Sequence, residues 1–169
     1  MRQQHIITAM LIGWQLHQGA AALGAIWTVD DDGDADFNSI QAAVDVASNG
    51  DEVVVEPGTY TGGDLYVVDM AGKGITLRAS SSSPEDTIID GEGVRGGIIC
   101  FTGENKDTVI DGFTITRGST SSGGGVLCSA SSPTLRNCII TGNTASTSGG
   151  GVYCFDGDPI LESCWISNN

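Results

Sequence analysis

Histidine is almost missing from this chain: there are two in 169 residues, His5 and His17, both close to the start. Past His17 there is no imidazole, which excludes histidine-based serine triads, histidine-ligated zinc and Cys-His nucleophiles from that stretch. Cations are scarce too, with seven Lys and Arg against 21 Asp and Glu, for a net charge of −14. A surface of that sign repels phosphate backbones, so no nucleic-acid partner is expected. Aromatics make up only 6% of the residues, so the packing must rest on smaller side chains. Long apolar runs are absent as well: Ile6–Trp14 is too short to span a bilayer, and no other stretch qualifies.

Glycine is abundant, at 25 of 169 residues, and hydrophobic residues reach 40%, which fits one β-rich domain with many turns. Residues 1–25 read as a secretory signal peptide, with Arg2, the apolar run and small residues from Ala22 to Ala25; the competing reading is an unstructured start. A signal peptide places the protein outside the cell, secreted or at the cell surface, and puts both histidines in the leader. Residues 26–52 are expected to form a lead-in with a capping helix. Asn38 and Gln41 have capping-box spacing, and Ile40, Ala43, Val44 and Ala47 share one face of a helix from about Ser39 to Ser48. Asn49-Gly50 stops it, and Val53–Val55 reads as a buried strand.

Residues 53–169 count in repeats. "SGGGVLCSASSPTLRNC" from Ser122 returns, 26 positions on, as "SGGGVYCFDGDPILESC" from Ser148. "TIIDG" at 87–91 returns as "TVIDG" at 108–112, with "PTLRN" at 133–137 and "PILES" at 159–163 as apparent equivalents. This alignment puts Ile89, Ile110, Leu135 and Leu161 in one inward column. Phe113, Cys138 and Cys164 form a second, and Ile115, Ile140 and Ile166 a third. The prediction is an all-β parallel β-helix, a solenoid of about four to five coils with a short N-terminal capping helix. Gly123–Gly125 and Gly149–Gly151 are expected to supply positive-φ corners, and Pro133 and Pro159 to set the entry to the next strand. The sequence reaches Asn169 partway through a coil, so further coils or self-association are expected to cover that end.

Three features invite a chemical reading. Cys128 with Cys154, and Cys138 with Cys164, should stack on adjacent coils; with Cys100 they are either small buried hydrophobes or a disulfide framework. "DDDGDAD" at 30–36 resembles half a calcium loop, or else it is a turn whose acids favour the helix N-terminus. Calcium is the one metal this pattern suggests, the cysteine spacings match no zinc pattern, and no cofactor is expected. Asp90, Asp111, Arg136 and Glu162 should form an outward row on successive coils. That row is either a binding site, with the arginine holding a sugar carboxylate, or a solvated charge ladder.

"DFNSIQAAVDVASNGDEVVVEPGTY" resembles the N-terminal cap and first coil of the pectin-lyase-like superfamily. "GGGVLC", "GGGVYC", "ITGN" and "ISNN" are similar to the repeats of polymorphic outer membrane proteins, with Ile140 and Ile166 where phenylalanine is usual. Together these resemblances cover about residues 27–169 and imply a right-handed β-helix. The catalytic sets of polygalacturonases, pectinesterases and lyases are not matched, and the only basic residues past the leader are Lys73, Arg78, Arg95, Lys106, Arg117 and Arg136. The function expected is a secreted or cell-surface scaffold for binding or adhesion, with a polysaccharide or cell-surface glycan as partner. The alternative is the N-terminal part of a carbohydrate-active enzyme of the lyase or esterase type.

Overall fold

A computed structural model describes residues 24–169, so the expected signal peptide lies, except for its last two residues, outside the described residues. The chain winds as a parallel β-solenoid. The lead-in supplies β1 (Ile26–Val29) and α1 (Ile40–Val46). The first coil carries β2 (Glu52–Val55), β3 (Gly58–Tyr60) and β4 (Tyr66–Asp69), and the second β5 (Thr76–Ala79), β6 (Thr87–Asp90) and β7 (Gly96–Cys100). Then follow β8 (Val109–Asp111), β9 (Thr114–Thr116), β10 (Ser119–Ser122) and β11 (Val126–Ser129). The fourth coil has β12 (Thr134–Arg136), β13 (Ile139–Thr141), β14 (Thr144–Ser148) and β15 (Val152–Phe155), and a partial fifth has β16 (Ile160–Glu162) and β17 (Trp165–Ser167). Like strands stack into sheets in the orders β1-β2-β5-β8-β12-β16, β3-β6-β9-β13-β17 and β4-β7-β11-β15, with β10-β14 as a short fourth.

All the pairings between these strands are parallel and largely in register, so each inward position becomes a column. Leu77, Ile110 and Leu135 are fully buried in the first sheet, Ile89, Ile115 and Ile140 in the second, and Ile98 and Val126 in the third. No coil encloses enough apolar surface alone; the stacked columns form one continuous core.

Two expectations about the columns need separating. The third column stands as read, and Phe113 and Cys138 are buried with Cys164 packed against them. Ile89, however, pairs with Ile115 rather than Ile110, whose true partner is Leu77. "TIIDG" therefore lies on the second sheet and "TVIDG" on the first. The cause is the length of the second coil: Thr76 pairs with Val109, a step of 33 residues, and the similar pentapeptides fall on different sides of the corner.

The helix is shorter than expected and is capped by Ser39, whose hydroxyl accepts the Ala42 amide at 3.4 Å. Gln41 is not a capping partner. Its amide donates to Asp45 and to the Asp69 carbonyl, and its Oε1 accepts the Asp69 amide at 2.7 Å, which fastens α1 to β4. Ile40, Ala43, Val44 and Ala47 are buried as read, closing the first end of the core. The first turn of this helix holds no acid, and Asp36 accepts the Thr28 amide and hydroxyl. Of the glycine triplets only Gly123 and Gly149 take positive φ. Gly124 and Gly125 are required by close approach, since a Cβ on either would strike the carbonyl oxygens of the next coil.

Candidate functional site

The first sheet alternates as a half-buried strand must: with Leu77, Ile110 and Leu135 inward, Arg78, Asp111 and Arg136 face outward. Register pairs Arg78 with Asp111, Asp111 with Arg136, and Arg136 with Glu162. Three of the four expected row residues are therefore brought together, and Arg78 joins them. Asp90 is not among them. It ends β6 on the second sheet, where its partner is Thr116, for the same loop-length reason that displaced Ile89.

Asp90 has a different task. It is nearly buried, and the Arg117 guanidinium clasps it with two bonds, Nε to Oδ1 at 2.8 Å and a terminal nitrogen to Oδ2 at 2.6 Å. Burial alone would raise its pKa, but the Arg117 bonds, the Glu92 amide at 2.8 Å and the Arg117 charge together hold it below the usual range. Both oxygens are committed, so this carboxylate ties one coil to the next.

In the row itself Arg136 Nε donates to Asp111 Oδ2 at 2.8 Å, and Asn137 Nδ2 donates to Asp111 Oδ1 at 2.8 Å. Arg78 pairs with Glu52 on the strand before it. Glu52 and Asp111 balance Arg78 and Arg136 in partly exposed positions, and Glu162 stands exposed beyond them. No pair of carboxylates shares a proton or a cation here, since an arginine separates Asp111 from Glu162. The arrangement is suited to holding coils in line.

A family model described as a right handed beta helix region matches residues 36–169. The chain belongs to the right-handed β-helix family. No curated protein matches it. In this β-helix the outward face of the third sheet differs from the charged row. Ile99, Leu127 and Tyr153 stand in register, with Asp69 on the coil before them. Next to that line lie Phe101 and Phe155, 59% and 62% exposed on a protein with few aromatics.

Asp30, Asp31 and Asp32 bring carboxylates within 4.8 Å of one another; Asp30 closes a local turn by accepting the Asp32 amide, and Asp31 accepts the amide of Thr59 on β3. Cys128 pairs in register with Cys154, and Cys100 extends that row from the other side. Two clefts, about 380 and 500 Å3, flank the capped end and are lined by polar and acidic groups that include Asp51, Asp107, Asp45 and Asp69. Neither includes a row residue.

Several buried polar groups carry no expectation from the sequence, Glu104 and Asn143 among them. Glu104, in the loop after β7, accepts the Gly72 amide at 2.7 Å, the Thr102 amide at 2.9 Å and the Ser131 hydroxyl at 2.8 Å. Burial works to raise its pKa, but the Gly72 amide, the Ser131 hydroxyl and further backbone bonds prevail and lower it. Asn143, fully buried, accepts the Gly118 amide at 2.7 Å and donates to the Ile115 carbonyl and to Asn169 Oδ1. The "ITGN" and "ISNN" segments carried a signal for the second of these. Nothing in "GENKD" distinguishes Glu104 from a surface acid.

Proposed function

We propose that the chain is a secreted or cell-surface β-helix scaffold that binds a neutral glycan along the outer face of β7, β11 and β15, without catalysis in these residues. The observation that carries this reading is the file of Ile99, Leu127 and Tyr153 with Phe101 and Phe155 beside it. Exposed apolar groups gathered on one face mark an interaction surface. Strands about 4.8 Å apart repeat the same contact at each coil, which suits a polymer of repeating units lying along the solenoid axis. The charge of −14 disfavours a polyanionic glycan. Among the charged groups, the pairing of Asp90 with Arg117 and of Asp111 with Arg136 leaves these acids as coil ties rather than as an acid and a base.

The test is a binding isotherm of the full chain against soluble neutral polysaccharides, repeated with Tyr153→Ala and Phe155→Ala. Binding that weakens about tenfold or more in either variant, a loss of about 1.4 kcal/mol, supports the reading. Binding unchanged in both removes it. Release of shortened polymer that stops in Asp111→Ala would put a carbohydrate-active enzyme in its place.

A further inference from the structure

One line of side chains inside the solenoid is chemically unlike the rest of the core. Cys100, Cys128 and Cys154 occupy the same inward position of β7, β11 and β15, paired Cα to Cα. Met70 continues the line, because it follows Asp69, the partner of Ile99, and its amide donates to the Ile99 carbonyl at 3.0 Å. Four sulfurs therefore run along the axis. Met70, Cys100 and Cys128 are fully buried and Cys154 is exposed. The neighbouring column of the same sheet, Val68, Ile98, Val126 and Val152, is wholly aliphatic, so the sulfurs are not a general property of this face.

The spacing decides what such a line can hold. Strands stand about 4.8 Å apart in the stacking direction. A disulfide needs sulfurs about 2.0 Å apart and β-carbons about 3.8 Å apart, which requires two coils to be drawn together locally. Two metal–thiolate bonds of about 2.3 Å, end to end, span about 4.6 Å, close to the spacing of the strands that carry the sulfurs. Zinc prefers four ligands in a tetrahedron, whereas a column presents sulfur along one line only. Thiolate and thioether ligands select soft cations, with copper(I) the first-row case.

A second thiol pair provides the contrast. Cys138 Sγ donates to the Arg136 carbonyl at 3.2 Å, and Cys164 Sγ to the Leu135 and Glu162 carbonyls at 3.5 Å. Those thiols also hold backbone oxygens at a corner. On either side of Cys128, in register, stand Cys100 and Cys154.

We propose that the sulfur line is a binding site for a soft monovalent cation of the copper(I) class, held between the sulfurs of Cys128 and Cys154, with Cys100 and Met70 behind them. Each ligating thiol gives its proton to water, so one cation is taken up and two protons are released, with no change of oxidation state. The complex retains a single negative charge.

The experiment uses the full chain, reduced and kept under nitrogen, after a thiol count that confirms five free cysteines. Copper(I) is supplied as its acetonitrile complex against a coloured chelator, bicinchoninate. Wild type is expected to withdraw one equivalent, with a new ultraviolet thiolate-to-copper band. Cys154→Ala, with an unchanged far-ultraviolet spectrum as the check on its fold, should withdraw none at the same chelator concentration, and Cys164→Ala should behave as wild type. The proposal is overturned if wild type withdraws no copper, if Cys154→Ala retains the full equivalent, or if Cys164→Ala is the variant that loses it. A thiol count showing Cys128 and Cys154 already joined would also overturn it.

Discussion

The two halves of the solenoid are held together by different means. From Val109 onward the first sheet advances by 25 and then 26 residues per coil, and several inward rows repeat a residue type: leucine on leucine, cysteine on cysteine, asparagine on asparagine. Before Val109 the same sheet advances by 24 and then 33 residues, and identical stacks give way to single buried polar anchors. Asp51 accepts the amides of Ser48 and Ala25 and the Trp27 indole, which keep its pKa low, and so joins β1 to the end of α1. Glu104 gathers the loops at Gly72, Thr102 and Ser131. A regular coil spreads its stabilisation over many equal contacts, while an irregular one concentrates it where an insertion must be pinned.

That contrast predicts where the chain is most fragile. Glu104→Ala should cost about 3 kcal/mol or more, since it strands several buried donors at once. Urea unfolding with an unchanged slope and a lower midpoint would show this, and a cost below about 1 kcal/mol would mean that the irregular half is not pinned there. Glu104 also sets an acid dependence. Its folded pKa is lowered, so its contribution is complete above the unfolded value near 4.3 and is lost as pH falls through the folded value. The gap between wild type and Glu104→Gln should therefore be widest at neutral pH and narrow below about pH 4.

The regular half should answer more softly. Asn143→Ala removes one rung of an amide ladder and leaves the Gly118 amide unpaired, at a cost of about 2 kcal/mol. Asn169→Ala removes the exposed rung above it and should cost less than about 1 kcal/mol. Equal costs at the two positions would mean that the ladder acts as a unit instead of through burial.

The same division explains what the sequence disclosed. Columns such as Ile115, Ile140 and Ile166 were readable because coils of equal length print their register directly on the chain. Ile89 and Asp90 were placed on the wrong sheet because "TIIDG" and "TVIDG" look alike, while only the intervening loop length assigns each to its side of the corner. Arg117 takes a left-handed φ of 51° at a corner and then turns back to clasp Asp90, a contact between residues 27 positions apart that no local pattern encodes. Glu104 was invisible for a related reason: its donors come from three separate segments, so only the folded coil defines its role. The charged row was three-quarters legible, but its electrostatic character depended on Arg78, which the repeat alignment did not include.

Legibility and energy need not coincide, and the row tests that directly. Asp111 and Arg136 were the easiest charged pair to find in the sequence, yet Arg136 is 43% exposed and the pair is open to solvent screening. Asp111→Ala should change stability by only about 0–1 kcal/mol, and a double-mutant cycle with Arg136→Ala should return a coupling of the same size. Raising the salt concentration to about 1 M should erase most of it, because the screening length of exposed charges falls there to about 3 Å, the length of the contact. A coupling well above 1 kcal/mol that survives salt would show the row to be a preorganised charge constellation. The outer face of the first sheet, rather than that of the third, would then be the place to look for a ligand.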